Sequence, residues 1–279
     1  MKKLGLAVIV ALLIAAVVVA GCGKKESKAP TGAQAVLSKS QQASKNIKSF
    51  KAGGTADLQT PQSEVKANKI TYDSQTKVIT TSDVETALKA TDDKGKTTQV
   101  YIVGGYMYSF DTAQGWTKQK VENAEQLTGS NLFSPNQISE MGKYAKNLKQ
   151  LPDEGNNYVI SFDVGTKFFE NALAGAGQSS SPSNAQASKD AMDLIKGMLG
   201  GLSMNVVMKV DKTTYYPSSA KINVGLKGAP MIGDLTALTD MAFTGYNEPV
   251  TITLPPEAQS AKEVAPSATG LPNIPGLGL

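Results

Sequence analysis

Tyr101-Ile102-Val103-Gly104-Gly105-Tyr106-Met107-Tyr108 sets two short alternating runs on either side of a glycine pair. Glycine accepts positive φ without a Cβ penalty, so Gly104-Gly105 fits a two-residue hairpin turn. Thr97 to Val103 is then one strand and Tyr106 to Phe110 its antiparallel partner. Working outward, Asp92-Asp93-Lys94-Gly95 is a turn signal. It joins Thr97–Val103 to an earlier strand, in which Val84, Thr86, Leu88 and Ala90 alternate with Glu85, Ala87, Lys89 and Thr91. Downstream, Asp111 to Gly115 turns once more before Trp116-Thr117-Lys118. The stretch from about residue 52 to residue 121 is therefore an antiparallel meander, a sheet type that commonly keeps one face wet. Its aromatics, Tyr101, Tyr106, Tyr108, Phe110 and Trp116, are expected to divide between the core and that wet face.

Around the meander the period changes. Val36, Ser40, Ala43, Ile47 and Phe50 recur at helical spacing and place one helix ahead of it. Residues 122–150 read as a second helical region, with Ile138, Met141, Ala145 and Leu148 on one side and Lys143, Lys146 and Lys149 around it. Leu151-Pro152-Asp153-Glu154-Gly155 breaks that helix, and Tyr158, Ile160, Phe162 and Val164 alternate as a strand. A helix through Phe168-Phe169 leads to a Gly- and Ser-rich loop near 175–188, and another helix spans about Ala187 to Met198. The last third returns to period two. Met204, Val206, Met208 and Val210 form one strand face, and Ala220, Ile222, Val224 and Leu226 another. Met241–Tyr246 and Val250–Leu254 are expected to be further strands, ended by Pro255-Pro256.

The N-terminus carries a different signal. Met1-Lys2-Lys3 precedes an uncharged apolar run from Leu4 to Ala20, and Val19-Ala20-Gly21-Cys22 closes it. A positive start, an apolar stretch and small residues before a cut are the marks of a secretory signal. The four closing residues look like a lipobox, with cleavage between Gly21 and Cys22 and lipid attached to Cys22. Left uncleaved, the segment would be an N-terminal anchor; either way the rest of the chain is exported. The expected organisation is a signal peptide at 1–21, a polar tether at 22–33, one domain at 34–262 and a disordered Pro- and Gly-rich tail at 263–279. The expected location is the extracytoplasmic face of the cell membrane, held by the lipid anchor.

Composition narrows the chemistry. Among 279 residues there is one cysteine and no histidine, and all 28 basic residues are lysine. No intramolecular disulfide can form, the commonest zinc ligand is missing, and no serine or cysteine nucleophile has a histidine to activate it. No guanidinium is present to clamp a phosphate or carboxylate in bidentate fashion. Removing Lys2 and Lys3 with the signal takes the net charge from +4 to +2, which argues against a nucleic-acid partner. The acidic pairs Asp83/Glu85 and Asp92/Asp93 would serve glycoside chemistry only if two carboxyls met in one cleft. Asp92 and Asp93 are already accounted for by their turn. Nothing in the pattern requires a cofactor or a metal, and the chain is not expected to be an enzyme.

The order helix, meander, helices, strands resembles the LolA-like superfamily of bacterial lipid-handling proteins, and more specifically the LolA-like lipoproteins of Gram-positive bacteria. The residues that carry the resemblance are Tyr101 to Tyr108, Gly115-Trp116-Thr117-Lys118, and Asn247-Glu248-Pro249-Val250-Thr251-Ile252-Thr253-Leu254-Pro255. The resemblance implies an α+β fold: a strongly curved antiparallel sheet, an incomplete β-barrel, with helices covering its concave face. It also implies an apolar concavity able to hold acyl chains. Methionine is flexible and polarizable and lines surfaces that adapt to varied apolar ligands. Met204, Val206, Met208, Ile222 and Val224 are therefore the candidate cavity-lining residues, with packing against the helices as their alternative role. The expected partners are the membrane, through the anchor, and a lipid or other apolar ligand. If side chains fill the concavity instead, the chain would be a cell-envelope interaction or sensor module with a protein partner.

Overall fold

The computed structural model describes residues 32–59, 68–80, 83–112, 115–121, 134–177, 199–229 and 233–264. Gly21, Cys22, the polar tether up to residue 31 and the expected helix at 187–198 lie outside these residues. So do most of the expected 175–188 loop and the tail from residue 265.

Twelve strands form one sheet: β1 (Ser49–Gln59), β2 (Asn68–Val78), β3 (Val84–Asp92), β4 (Thr97–Val103), β5 (Tyr106–Asp111), β6 (Gly115–Lys120), β7 (Ala145–Glu154), β8 (Asn157–Val164), β9 (Leu202–Asp211), β10 (Pro217–Ala229), β11 (Gly233–Thr244) and β12 (Lys262–Glu263). Their spatial order is β12-β6-β5-β4-β3-β2-β1-β11-β10-β9-β8-β7. Two meanders, β1–β6 and β7–β11, thus meet at one seam, where β1 pairs antiparallel with β11. Every pairing is antiparallel except β12 on β6. The sheet is curved and unclosed, as the resemblance implied.

The hairpin turns follow the local chemistry of the sequence. Gly104 and Gly105 both have positive φ, at 60° and 77°. Asp92 Oδ1 accepts from the backbone N–H of Lys94 and Lys96, closing the turn into β4. β12 lies at Lys262–Glu263 and the Val264 N–H donates to the Lys118 carbonyl, so ordered chain continues past residue 262.

Among the described residues three α-helices accompany the sheet: α1 (Ala33–Ser44), α2 (Pro135–Met141) and α3 (Thr166–Gly177). α1 ends earlier than its stripe implied; Ile47 is buried just beyond it, and Phe50 is buried on β1. α2 starts at Pro135, with Ser134 as its cap accepting from the Gln137 N–H. The expected helix to residue 150 is corrected here. α2 gives way to a 3-10 turn at Gly142–Tyr144, and then Ala145–Glu154 is the edge strand β7. A helical reading of Ala145 and Leu148 failed because this strand is irregular: Asn147 has φ 52°, and the pairing slips twice along it. Pro152 is tolerated because an edge strand has a side that needs no donor, and exposed lysines on such an edge discourage pairing with other chains. Val250–Leu254 is also not a strand. Pro249 and Pro255 bracket it and neither can donate to a ladder. β11 instead begins at Gly233, well before Met241.

Two aspartates brace the irregular turns. Asp163 accepts from the side-chain amides of Asn147 (2.8 Å) and Asn205 (2.9 Å), and these bonds, in that order, lower its pKa. Burial pushes Asp211 up, but bonds from the Thr214 N–H and hydroxyl, the Thr213 N–H and Asn156 outweigh it, so the net shift is downward. Both folded values lie below the unfolded carboxylate value of about 3.9. Their contribution to stability is complete above that value and is lost as pH falls through the folded values. The urea midpoint is therefore expected to stay level from pH 7 to about 5 and to drop below about pH 4. Asp211→Asn should start lower at neutral pH and show a shallower acid limb.

Candidate functional site

Because partners across an antiparallel ladder face the same way, the register maps one face of the whole sheet. Phe162, Val206, Ile222, Thr239 and Ala56 form one row across β8, β9, β10, β11 and β1. The next row runs Ile160, Met208, Ala220, Met241, Gly54, Tyr72. This inner face receives Val36 and Leu37 of α1 and Ile138 and Met141 of α2, and together they form the main core. A hydroxyl pair, Ser44 with Ser139 at 3.1 Å, and a bond from Gln41 to the Ser139 carbonyl tie α1 to α2 over it. At one end Tyr158 stacks on Tyr215, with Lys39 Nζ 4.7 Å over the Tyr215 ring and Lys212 Nζ 5.5 Å over the Tyr158 ring. A smaller cluster of Val100, Ile102 and Met107 continues the same face under β4 and β5.

The five candidate lining residues all fall on this inner face, but in two zones. Val206 and Met208 are 0% exposed and Ile222 is 2% exposed, sealed in the core beneath the helices. Met204 and Val224, partners across β9 and β10, are half-buried at its margin. From that pair the apolar face goes on. Ala237 and Leu58 complete their row across β11 and β1, and Leu202, Leu226 and Leu235 make one more row beyond. All seven are half-buried and none carries a charge. Sequence reading missed five of these seven. The alternation in β9 and β10 contained the signal for Leu202 and Leu226. Leu235 and Ala237 were lost because β11 was expected to start later, and Leu58 because β1 was not delimited.

Tyr72 adds a polar group that the inner face leaves unanswered. Its hydroxyl is buried and has no hydrogen-bond partner among the described residues. Burial, with a smaller contribution from Asp240, pushes its pKa up to about 12. The phenol therefore stays protonated. Tyr246, half-buried, is pushed up as well by loss of solvent, but its hydroxyl already donates to the Pro217 carbonyl.

No group of three or more His, Cys, Asp or Glu side chains that could hold a metal occurs among the described residues. Of the acidic pairs, Glu85 is held by Lys77 at 3.1 Å, and Asp92 closes its turn. No helix among the described residues is long and apolar enough to cross a membrane.

A family model described as a family of unknown function (DUF6612) matches residues 32–263, which include all twelve strands. The chain belongs to the DUF6612 family. No curated protein matches this DUF6612 chain. Among solved structures it is similar to a LolA superfamily protein, NE2245 of Nitrosomonas europaea, at 10% identity over 80% of this chain and 95% of that one, with a TM-score of 0.27. It is similar to a DUF1329 family protein of Desulfovibrio piger at 10% identity over 80% and 96%, with a TM-score of 0.30. The MucA/MucB complex of Pseudomonas aeruginosa is a third, at 10% identity over 80% and 67%, with a TM-score of 0.30. Likenesses this distant say nothing of what the DUF6612 chain binds.

Proposed function

We propose that the protein is a membrane-anchored, extracytoplasmic lipoprotein, lipidated on Cys22, that holds a lipid or other apolar ligand non-covalently against the inner face of its sheet. It acts by binding, without catalysis. The observation that carries the reading is the pair of uncharged rows beyond the sealed core, Leu58–Ala237–Val224–Met204 and Leu235–Leu226–Leu202. Two adjoining uncharged rows on one face make a contiguous apolar surface on which an acyl chain could lie. An acyl chain gains about 0.8 kcal/mol per buried methylene, so burying about ten supplies on the order of 8 kcal/mol before the entropy of binding is paid. That gain needs no arginine.

The sealed state of Val206, Met208 and Ile222 favours a second reading, in which the core is complete and the protein is an envelope interaction module without a ligand. Native mass spectrometry of the protein, extracted from its own membranes in mild detergent, separates the two. The expected spectrum shows a chain beginning at Cys22 with a diacylglyceryl group, plus a non-covalent adduct of lipid mass lost on collisional activation. A bare lipidated chain at every activation energy would support the interaction module instead.

A further inference from the structure

The opposite face of the sheet carries a feature that the ligand reading does not use. On β4, β5 and β6 the outward positions are those between Val100, Ile102 and Met107, and all five meander aromatics occupy them. They do not divide between core and wet face as the sequence suggested: none is fully buried, and each is half-buried on the outer side. The register arranges them in rows. Lys89, Gln99, Phe110 and Trp116 are successive partners, as are Ala87, Tyr101, Tyr108 and Lys118. A third row brings Val103 and Tyr106 to Lys120.

Within this strip the Trp116 ring lies 5.3 Å from Phe110 and 5.9 Å from Tyr101, so it reaches across β5 toward β4. Lys118 Nζ sits 5.5 Å over the Tyr106 ring, and 3.9 Å from Glu263. Lys89 and Lys120 are exposed. Cross-strand aromatic pairs stabilise a sheet by about 0.2–1 kcal/mol each, and that alone would explain one or two rings. It does not explain five on three strands, because the outer face of the other meander is built from groups such as Asp163, Asn205, Lys209, Lys221 and Asp240.

We infer that the outer face of β4–β6 binds an anionic polysaccharide, laid across the strands with its sugar rings on Tyr101, Tyr108 and Trp116 and its charges toward Lys89, Lys118 and Lys120. A pyranose presents a flat C–H face that an aromatic ring meets by dispersion and by its negative π cloud. Lys118 and Lys120 at the β6 ends of their rows supply positive charge, Lys89 adds less because Asp73 is its partner on β2, and Gln99 can bond hydroxyls. A membrane surface fits less well, since bilayers are entered by protruding apolar tips and these rings stand on strand interiors between a Gly104-Gly105 turn and the turn at Gly115. Single-stranded nucleic acid also stacks on aromatics, but it needs a strongly basic groove, and here Lys118 faces Glu263 and Lys89 stands opposite Asp73 on β2, which leaves Lys120 to carry most of the positive charge. The inference is independent of whether the inner face holds a lipid.

Trp116 is the only tryptophan in the chain, so its fluorescence reports on this strip alone. The full-length protein, its anchor seated in phosphatidylcholine nanodiscs, is titrated with oligogalacturonate and hyaluronan oligosaccharides, with neutral cello-oligosaccharide, and with polyglutamate, oligothymidylate and phosphatidylglycerol vesicles. A saturable change is expected with at least one anionic glycan, at least tenfold weaker with the neutral sugar and absent with polyglutamate. Tyr108→Ala should weaken binding at least tenfold. Lys120→Gln, an exposed change that leaves the sheet intact, should weaken it severalfold and flatten its salt dependence. No saturable change with any anionic glycan overturns the inference, as does an equal response to polyglutamate, oligothymidylate or vesicles, or unaltered glycan binding in both variants.

Discussion

Gly54→Ala is expected to cost about 3–5 kcal/mol, the range reserved for a named steric failure, which in a domain worth roughly 5–15 kcal/mol leaves little margin. A Cβ built on Gly54 would lie 2.0 Å from the Asp240 carbonyl oxygen and 2.9 Å from the Met241 Cα. Both are backbone atoms of the neighbouring strand, so no rotamer change relieves the overlap. The position is also the seam: Gly54 pairs with Met241 on β11 and with Tyr72 on β2, where the two meanders join. Moving β1 away from β11 there would disturb the register of both halves. Gly53, its neighbour, provides the control. A Cβ there meets the Asp73 Oδ1 at 2.9 Å, the far end of a side chain that can turn away. Gly53→Ala should therefore cost about 1 kcal/mol or less. Urea unfolding followed through Trp116 fluorescence reads both. Equal midpoints for the two variants would mean that β1 and β11 do not approach this closely.

The meander was legible because its turns are chemically distinct. Gly104-Gly105, Asp92–Gly95 and Gly115 each mark a chain reversal, and between them period two leaves no alternative to a strand. The partners in β9 and β10 were legible for the same reason. What escaped was decided by non-local contacts. Ala145–Glu154 has lysines and an alternation spoiled by Asn147, and only the ladder from β8 makes it a strand. Val250–Leu254 alternates well, but Pro249 and Pro255 deprive it of donors at both ends. The aromatic set was divided between two faces because no rule of composition tells which face of a strand meets the core. Here that face is chosen by Val100, Ile102 and Met107, which leaves every ring outside. The lining residues shared the difficulty from the other direction. Alternation placed Met204, Val206, Met208, Ile222 and Val224 on one face, yet the boundary between sealed core and half-open margin depends on where α1 and α2 end.

That boundary makes the binding reading testable by a crossed pair of substitutions. Val224→Asp is expected to leave the fold intact, because its half-buried site lets water reach the carboxylate, and to abolish the lipid adduct. A carboxylate facing an acyl chain loses hydration worth several kcal/mol with no cation to replace it, and each 1.4 kcal/mol is a tenfold loss of affinity. The adduct should fall by more than a hundredfold while the urea midpoint shifts little. Met208→Ala should do the reverse. Met208 is 0% exposed beneath the helices, and truncating such a side chain costs about 2–5 kcal/mol through lost burial and the cavity left behind. Its adduct should persist for as long as the protein is folded, since the rows from Met204 to Leu58 are untouched. If the protein were an interaction module with a closed concavity, Val224→Asp would alter neither mass nor midpoint. If instead the ligand entered the sealed core, Met208→Ala would change the adduct and Val224→Asp would not. Loss of the adduct in Val224→Asp alone, with the midpoint alone moving in Met208→Ala, places the ligand on the two half-buried rows and nowhere deeper.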